Sequence, residues 1–183
     1  MEQQDILSMT LPELQAAVQE LGEPKFRAKQ IFNWLHQKRV TDFSEMTTLS
    51  LPFRERLASD FCFNRLKIAK RLSSSVDDTV KYLYELPDGN YVETVCMQYH
   101  HGTSLCISTQ VGCRMGCRFC ASAIAGFVRN LTPAGMLLQI YETERAQNCK
   151  ISSLVLMGIG EPLDNFDNVL QFLQLLPTRT GMA

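Results

Sequence analysis

Cys106-Ile-Ser-Thr-Gln-Val-Gly-Cys113-Arg-Met-Gly-Cys117-Arg-Phe-Cys120 gathers four of the chain's seven cysteines into one short run. Three of them, Cys113, Cys117 and Cys120, are spaced C-x-x-x-C-x-x-C, and Gly112 and Gly116 free the backbone beside them to wrap a compact centre. Three thiolates are one short of a closed four-cysteine site. A [4Fe–4S] cube held at three corners keeps one iron open to a small molecule, much as a catalytic zinc keeps an open position. A structural zinc knuckle with Cys106 as fourth ligand would use the same residues, and the triplet alone leaves both readings open.

The segments on either side decide between them. A short apolar strand at 105–109 feeds the cysteine run, and a helical turn follows Cys117. A linker at 126–131 then leads to a long helix from Thr132, its N-cap, through Pro133 to Gln147. Ser152–Met157 reads as a buried parallel strand ending in Gly158-Ile-Gly-Glu-Pro162, and 165–176 as another helix. The order β, α, β, α opens a parallel α/β barrel or open sheet. Cofactor sites in such sheets lie at the carboxyl ends of the strands, where both the cysteine run and Gly158–Pro162 fall. That coincidence favours an open cluster over zinc.

Upstream the period is helical. Leu11, Leu14, Ala17, Val18 and Leu21 share a face behind Thr10 as N-cap, and Gly22 ends that helix. A second helix at 24–38 turns Phe26, Ala28, Ile31, Trp34 and Leu35 towards a core, with Lys25, Lys29, His36 and Arg39 pointing elsewhere and His36 expected at the surface or as a helix cap. A third runs from the Ser50-Leu-Pro52 cap to about Asp60. Between helices and cysteines, β-rich segments at 66–72, 79–86 and 91–97 and the turn Pro87-Asp-Gly-Asn90 read as an antiparallel hairpin region. Three parts are expected: a helical module at 1–62, a β-hairpin linker at 63–100 and an α/β core at 101–183.

The 183 residues, 45% of them hydrophobic, suffice for a real core, and the net charge of −1 announces no nucleic acid. The distribution of charge says more. Residues 1–23 carry five acids and no Lys or Arg, whereas 24–71 carry eleven bases against four acids, a local net of +7. Such a stretch is a solvated helix face or a phosphate-contacting surface, and its density favours phosphate. With no apolar run of membrane-spanning length and no amino-terminal signal, a cytoplasmic protein off the membrane is expected, whose clustered thiols serve metal or catalysis.

These residues resemble the RlmN/Cfr family of radical S-adenosylmethionine (SAM) methyltransferases. The resemblance runs from Leu11 to about Leu176 through Pro24–Trp34, Val92-Glu-Thr-Val95, Cys106–Cys113, Gly126-Phe-Val-Arg-Asn-Leu131 and Met157-Gly-Ile-Gly-Glu-Pro162, in order. It is nearest the members that methylate C2 of an adenine in 23S ribosomal RNA and in tRNA. It implies the first two βα units of an incomplete radical SAM (β/α)6 partial barrel. The implied cofactors are a [4Fe–4S] cluster on Cys113, Cys117 and Cys120, and SAM at Gly160 and Glu161. The implied partners are the two RNAs and an electron donor such as a flavodoxin or ferredoxin, with a monomeric enzyme when complete.

Glu93 matches the family's proton acceptor at C2; without the match it would be a strand carboxylate on a solvent face. Cys106 matches the cysteine that resolves the covalent enzyme–RNA intermediate; unmatched, it would be core filler. The resemblance also implies a second, methyl-carrying cysteine in the same thiol and disulfide chemistry, and none of this chain's residues matches it. Cys62, Cys96 and Cys149 are expected to pack, and Met115 and Phe119 to shield the cluster. Thr178–Ala183 departs from the family's continuation. A chain lacking the methyl-carrying cysteine is expected not to methylate by itself, which keeps a non-catalytic RNA-binding remnant and a zinc-bound RNA-binding module as alternatives.

Overall fold

A computed structural model describes residues 3–124 and 126–176; the departure expected at 178–183 lies outside them. The chain forms two compact units, one comprising the segment up to Asn64 with the residues from Gln171 onward, the other Arg65–Leu170.

In the first unit, β1 (Gln4–Asp5) precedes the helices α1 (Leu11–Glu20), α2 (Phe26–His36) and α3 (Leu51–Asp60), and β2 (Phe61–Cys62) returns to pair with β1 in parallel. The Thr10 backbone N–H donates to the Glu13 carboxylate at 2.7 Å, which opens α1 by satisfying an amide that the helix cannot. Leu14 and Val18 of α1, Ala28, Ile31 and Leu35 of α2, and Leu57 of α3 are buried, as the helical periodicity requires.

Two residues of α2 depart from the expected pattern. Phe26, expected in the core, is 53% exposed, because the buried stripe is set by positions 28, 31 and 35 and Phe26 falls outside it. His36, expected at the surface or as a helix cap, lies in the last turn of α2 but is buried with that stripe, and burial, followed by repulsion from Arg39, lowers its pKa to about 4.

A neutral buried imidazole makes stability depend on pH. Between about pH 6.5 and pH 4 the unfolded chain binds a proton at His36 that the folded chain refuses. Acid therefore erodes stability across that window, by on the order of 3 kcal/mol in full. Melting curves should show Tm falling from pH 7 to pH 5, and His36→Phe should flatten that fall. An equal slope in the variant would remove His36 as its cause.

The second unit is built on one mixed five-stranded sheet. β3 (Lys67–Ser73), β4 (Val80–Glu85), β5 (Tyr91–Tyr99) and β6 (Gly102–Cys106) follow one another antiparallel. Beyond β6 the chain leaves the sheet through β7 (Gln110–Gly112), β8 (Phe127–Asn130) and α4 (Pro133–Gln147). It re-enters as β9 (Ile151–Val155), parallel to β6, and continues into α5 (Phe166–Leu175). The parallel pair thus closes the end of a larger sheet instead of standing alone, and the segment read as a hairpin linker supplies three strands of the sheet to which the core strands belong. The segment 126–131, read as a linker, holds β8, because Phe127-Val-Arg-Asn130 pairs with β7.

Alternation sorts the sheet into two faces. Val80, Tyr82 and Tyr84 of β4 and Val92, Thr94 and Cys96 of β5 are buried, and polar contacts join this face to α4. Tyr84 Oη and Thr143 Oγ1 lie 2.8 Å apart, and Thr94 Oγ1 donates to Gln139 Oε1 at 2.8 Å. The opposite face presents Lys81, Leu83, Glu93, Val95 and Cys106, all half-buried.

Candidate active site at the strand ends

β6 ends at Cys106, and the following residues stay tied to the end of β9 and to the segment after it. Ile107 N–H donates to Val155 O at 3.0 Å, Gly158 N–H to Ile107 O at 3.0 Å, and Thr109 N–H to Ile159 O at 2.9 Å. Two side chains extend this lacing. Ser108 Oγ donates to Glu93 O at 2.7 Å and accepts from Ile159 N–H at 3.0 Å. Gln110 Oε1 accepts Glu161 N–H at 2.9 Å while its amide donates to Asn130 Oδ1 and Asp164 Oδ2, each at 2.8 Å. The expected strand 105–109 is therefore strand only to Cys106; after the Ile107 N–H, which still reaches Val155 of β9, the backbone bonds to a loop instead of a ladder.

The glycines of Gly158–Pro162 permit this approach. A Cβ on Gly158 would lie 2.7 Å from the Ile107 carbonyl, and one on Gly160, at φ +108°, would lie 2.6 Å from Gln110 Cβ. Glu161 opens the 3-10 turn Pro162–Asn165 by accepting Leu163 N–H at 3.1 Å. Asn165 is buried and donates to both Thr109 O (2.8 Å) and Leu131 O (2.9 Å).

The three-cysteine loop springs from β7 and β8. At its base Cys113 N–H donates to Gly126 O at 3.0 Å, and Gly112, at φ +72°, stands where any Cβ would strike that same carbonyl. Inside it, Cys120 N–H closes a turn onto Cys117 O at 3.0 Å. Arg114 reaches out of the loop to Asp164 Oδ2 (Nε–O 2.8 Å), its guanidinium 4.1 Å from the centre of the Phe127 ring. Asp164 thus binds both the loop and Gln110.

Cys117 is exposed, Cys113 and Cys120 are half-buried, and no cysteine is in a disulfide. Three thiols on one short glycine-flanked arc, with no carboxylate or imidazole among them, are a donor set suited to an iron–sulfur cube. Among the described residues, however, no three His, Cys, Asp or Glu side chains converge tightly enough to hold a metal ion as they stand. Phe119 and Met115, expected to shield a cluster, both face solvent, Phe119 at 95% exposure.

Glu93 and Cys106 share the half-buried face of the sheet. Cys106 pairs with Val95, two residues from Glu93 on the same side of β5, so the two are diagonal neighbours. Burial pushes the Cys106 thiol up, against a hydrogen bond to the Met157 backbone that lowers it. Lys81 Nζ lies 2.6 Å from Glu93 Oε1 across β4 and β5. Sequence reading missed Lys81, Ser108, Gln110, Gln139, Asp164 and Asn165. One signal was available: Gln139 interrupts the apolar run Met136-Leu-Leu-Gln-Ile140 on a helix that must be buried.

The architecture has counterparts among known proteins. The crystal structure of a radical SAM methyltransferase from Sphaerobacter thermophilus superposes with a TM-score of 0.85 at 32% identity, covering 94% of this chain and 51% of that one. Over the stretch it spans, the fold is thus similar to that of a radical SAM methyltransferase. Residues 4–63 match the family described as the ribosomal RNA large subunit methyltransferase N-terminal domain. Proteins named as probable dual-specificity RNA methyltransferases RlmN are 51% identical in Lachnoclostridium phytofermentans, over 97% of this chain, and 48% identical in Alkaliphilus oremlandii, over 100% of it. Over the stretch it spans, the chain is similar to the RlmN family. It spans about half the length of these relatives, 50% and 53%. Among the described residues no helix is long and apolar enough to cross a membrane.

Proposed function

We propose that this chain carries the cluster-binding and SAM-binding part of an RNA methyltransferase site acting on C2 of an adenine in 23S ribosomal RNA and tRNA. The observation that supports this most is the lacing of Cys106–Gly112 to Gly158–Pro162 at the carboxyl ends of two adjacent parallel strands. Cys113, Cys117 and Cys120 would hold a [4Fe–4S] cluster at three irons, with the fourth left for SAM. Gly160 and Glu161 would receive the methionine part of SAM, a glycine-freed backbone edge and a carboxylate suiting its ammonium. Bound there and reduced by a flavodoxin- or ferredoxin-type donor, these groups supply a carbon radical able to reach an electron-poor ring carbon that resists ordinary methyl transfer.

The chain's own residues would handle position and protons. Glu93 would accept the proton leaving C2, its carboxylate aimed by the Lys81 ammonium across the strands. Cys106, its thiol pushed up by burial, would be the diagonal partner that releases product. The basic stretch 24–71 would hold the RNA through its phosphates.

Anaerobic reconstitution tests the cluster. The purified chain should turn brown and retain about four irons and four sulfides. Cys113→Ala, Cys117→Ala and Cys120→Ala should each abolish retention while Cys149→Ala leaves it intact. A colourless protein holding one zinc per chain would overturn the assignment.

A further inference from the structure

The solvent side of α2 carries a pattern that the core does not explain. Lys25, Lys29, Asn33 and Gln37 are all exposed and recur every four residues, so they form one ridge along the helix and its end. Phe26 lies beside Lys25 at the start of that ridge, the one exposed apolar side chain of the helix. The Arg27 guanidinium carbon is 5.0 Å from the centre of its ring.

The other two large aromatics of α2 are already engaged: Phe32 is half-buried, its ring centre 4.3 Å from that of His36. Trp34 donates Nε1–H to Thr48 Oγ1 at 2.8 Å, and the Lys38 ammonium sits 3.5 Å from its ring centre. A lone exposed phenylalanine needs no explanation. An exposed ring set between lysines, on a ridge continued by side-chain amides, is the chemistry by which proteins hold unpaired nucleotides: aromatic faces stack on bases, ammonium groups meet phosphates, and amides reach base edges.

We propose that Phe26 is a stacking platform for an unpaired RNA base, with Lys25 and Lys29 on the flanking phosphates. RNA is favoured over a protein partner by charge complementarity. Residues 24–39, which hold α2, carry five bases and no acid, and a single ring among cations is too small an apolar surface for a protein interface. The inference rests on the reading of the first unit as RNA-binding and adds to it the residue that distinguishes unpaired from paired RNA.

The test uses the whole chain with a short single-stranded RNA carrying 2-aminopurine and a blunt duplex of the same sequence. The unaltered chain should quench the 2-aminopurine and bind the single strand more tightly than the duplex. Phe26→Ala should lose the quenching and about tenfold in affinity while keeping the slope of affinity against salt. Phe26→Trp should restore both. Lys25→Glu with Lys29→Glu should instead flatten the salt slope, by about one for each phosphate no longer neutralised.

Unchanged affinity and quenching in a Phe26→Ala chain with intact circular dichroism would overturn the proposal and leave general RNA binding standing. Equal affinity of the unaltered chain for single strand and duplex would overturn it too. No binding to either RNA would remove the RNA-binding reading itself, and the platform with it.

Discussion

Replacing Gln139 by leucine is expected to cost the second unit roughly 3–6 kcal/mol, although the two side chains are close in size and the residue touches no expected ligand. Gln139 is fully buried on α4 and uses its whole amide. Its oxygen accepts from Thr94 Oγ1 at 2.8 Å and from Ser108 N–H at 2.9 Å; its nitrogen donates to Ser108 O at 2.9 Å and Gly135 O at 3.1 Å. Ser108 lies just past the end of β6 with no strand partner, so the glutamine stands in for the missing ladder. Leucine would leave the Ser108 N–H and C=O and the Thr94 hydroxyl buried without their partner, at about 1–3 kcal/mol each before relaxation. Thr94→Val, which removes one bond and one of its own polar groups, should cost only about 1 kcal/mol. Urea denaturation of both variants checks this. A Gln139→Leu loss no larger than that of Thr94→Val would mean that Ser108 is held by something else. The Ser108 hydroxyl also bridges Glu93 O and Ile159 N–H, so the same substitution should loosen the join between the proposed proton acceptor's strand and the proposed SAM-binding turn.

What the sequence disclosed, and what it withheld, divides along a physical line. Elements with a local cause were legible. Thr132 and Pro133 start α4, Gly22 ends α1, and the turn 87–90 joins β4 to β5, because caps, φ preferences and turn chemistry act within a few residues. The β, α, β order put Cys106 and Gly158–Pro162 at the same end of one sheet, where the structure places them. Long-range causes were hidden. Nothing local told that β5 would pair with β6 and make one sheet of what reads as a hairpin region and a core. His36 shows the same limit from the other side. An ionisable residue adjoining an apolar stripe is expected to turn to solvent, and the protein keeps it neutral and buried instead. Phe26 was placed in the core by residue type, yet the helical phase set by Ala28, Ile31 and Leu35 carries it out.

Gly158→Ala should be among the more damaging single methyl groups that can be added near the site, at about 3–5 kcal/mol, and the cause is steric overlap alone. The new Cβ would sit 2.7 Å from Ile107 C, Ile107 O and Ser108 N. All three are backbone atoms, so no side chain can swing aside. The loop after β9 would have to lift away from Ile107, which removes the Gly158 N–H to Ile107 O bond at 3.0 Å and strains the Thr109 N–H to Ile159 O bond at 2.9 Å beside it. Gly116→Ala is the matched control. Gly116 has φ +66° and nothing within 4 Å of its Cβ position, so alanine there bears only the left-handed backbone cost, about 1–2 kcal/mol. Urea denaturation should rank Gly158→Ala well above Gly116→Ala, and hydrogen exchange at the Thr109 and Gly158 amides should rise in the first variant only. The ranking matters for function because Gly116 lies within the cysteine loop and Gly158 lies outside it. If the lacing of the two segments organises the site, the variant remote from the cysteines should be the one that retains less iron on reconstitution. Equal stability and equal iron in the two variants would show that the cysteine loop is organised without that lacing.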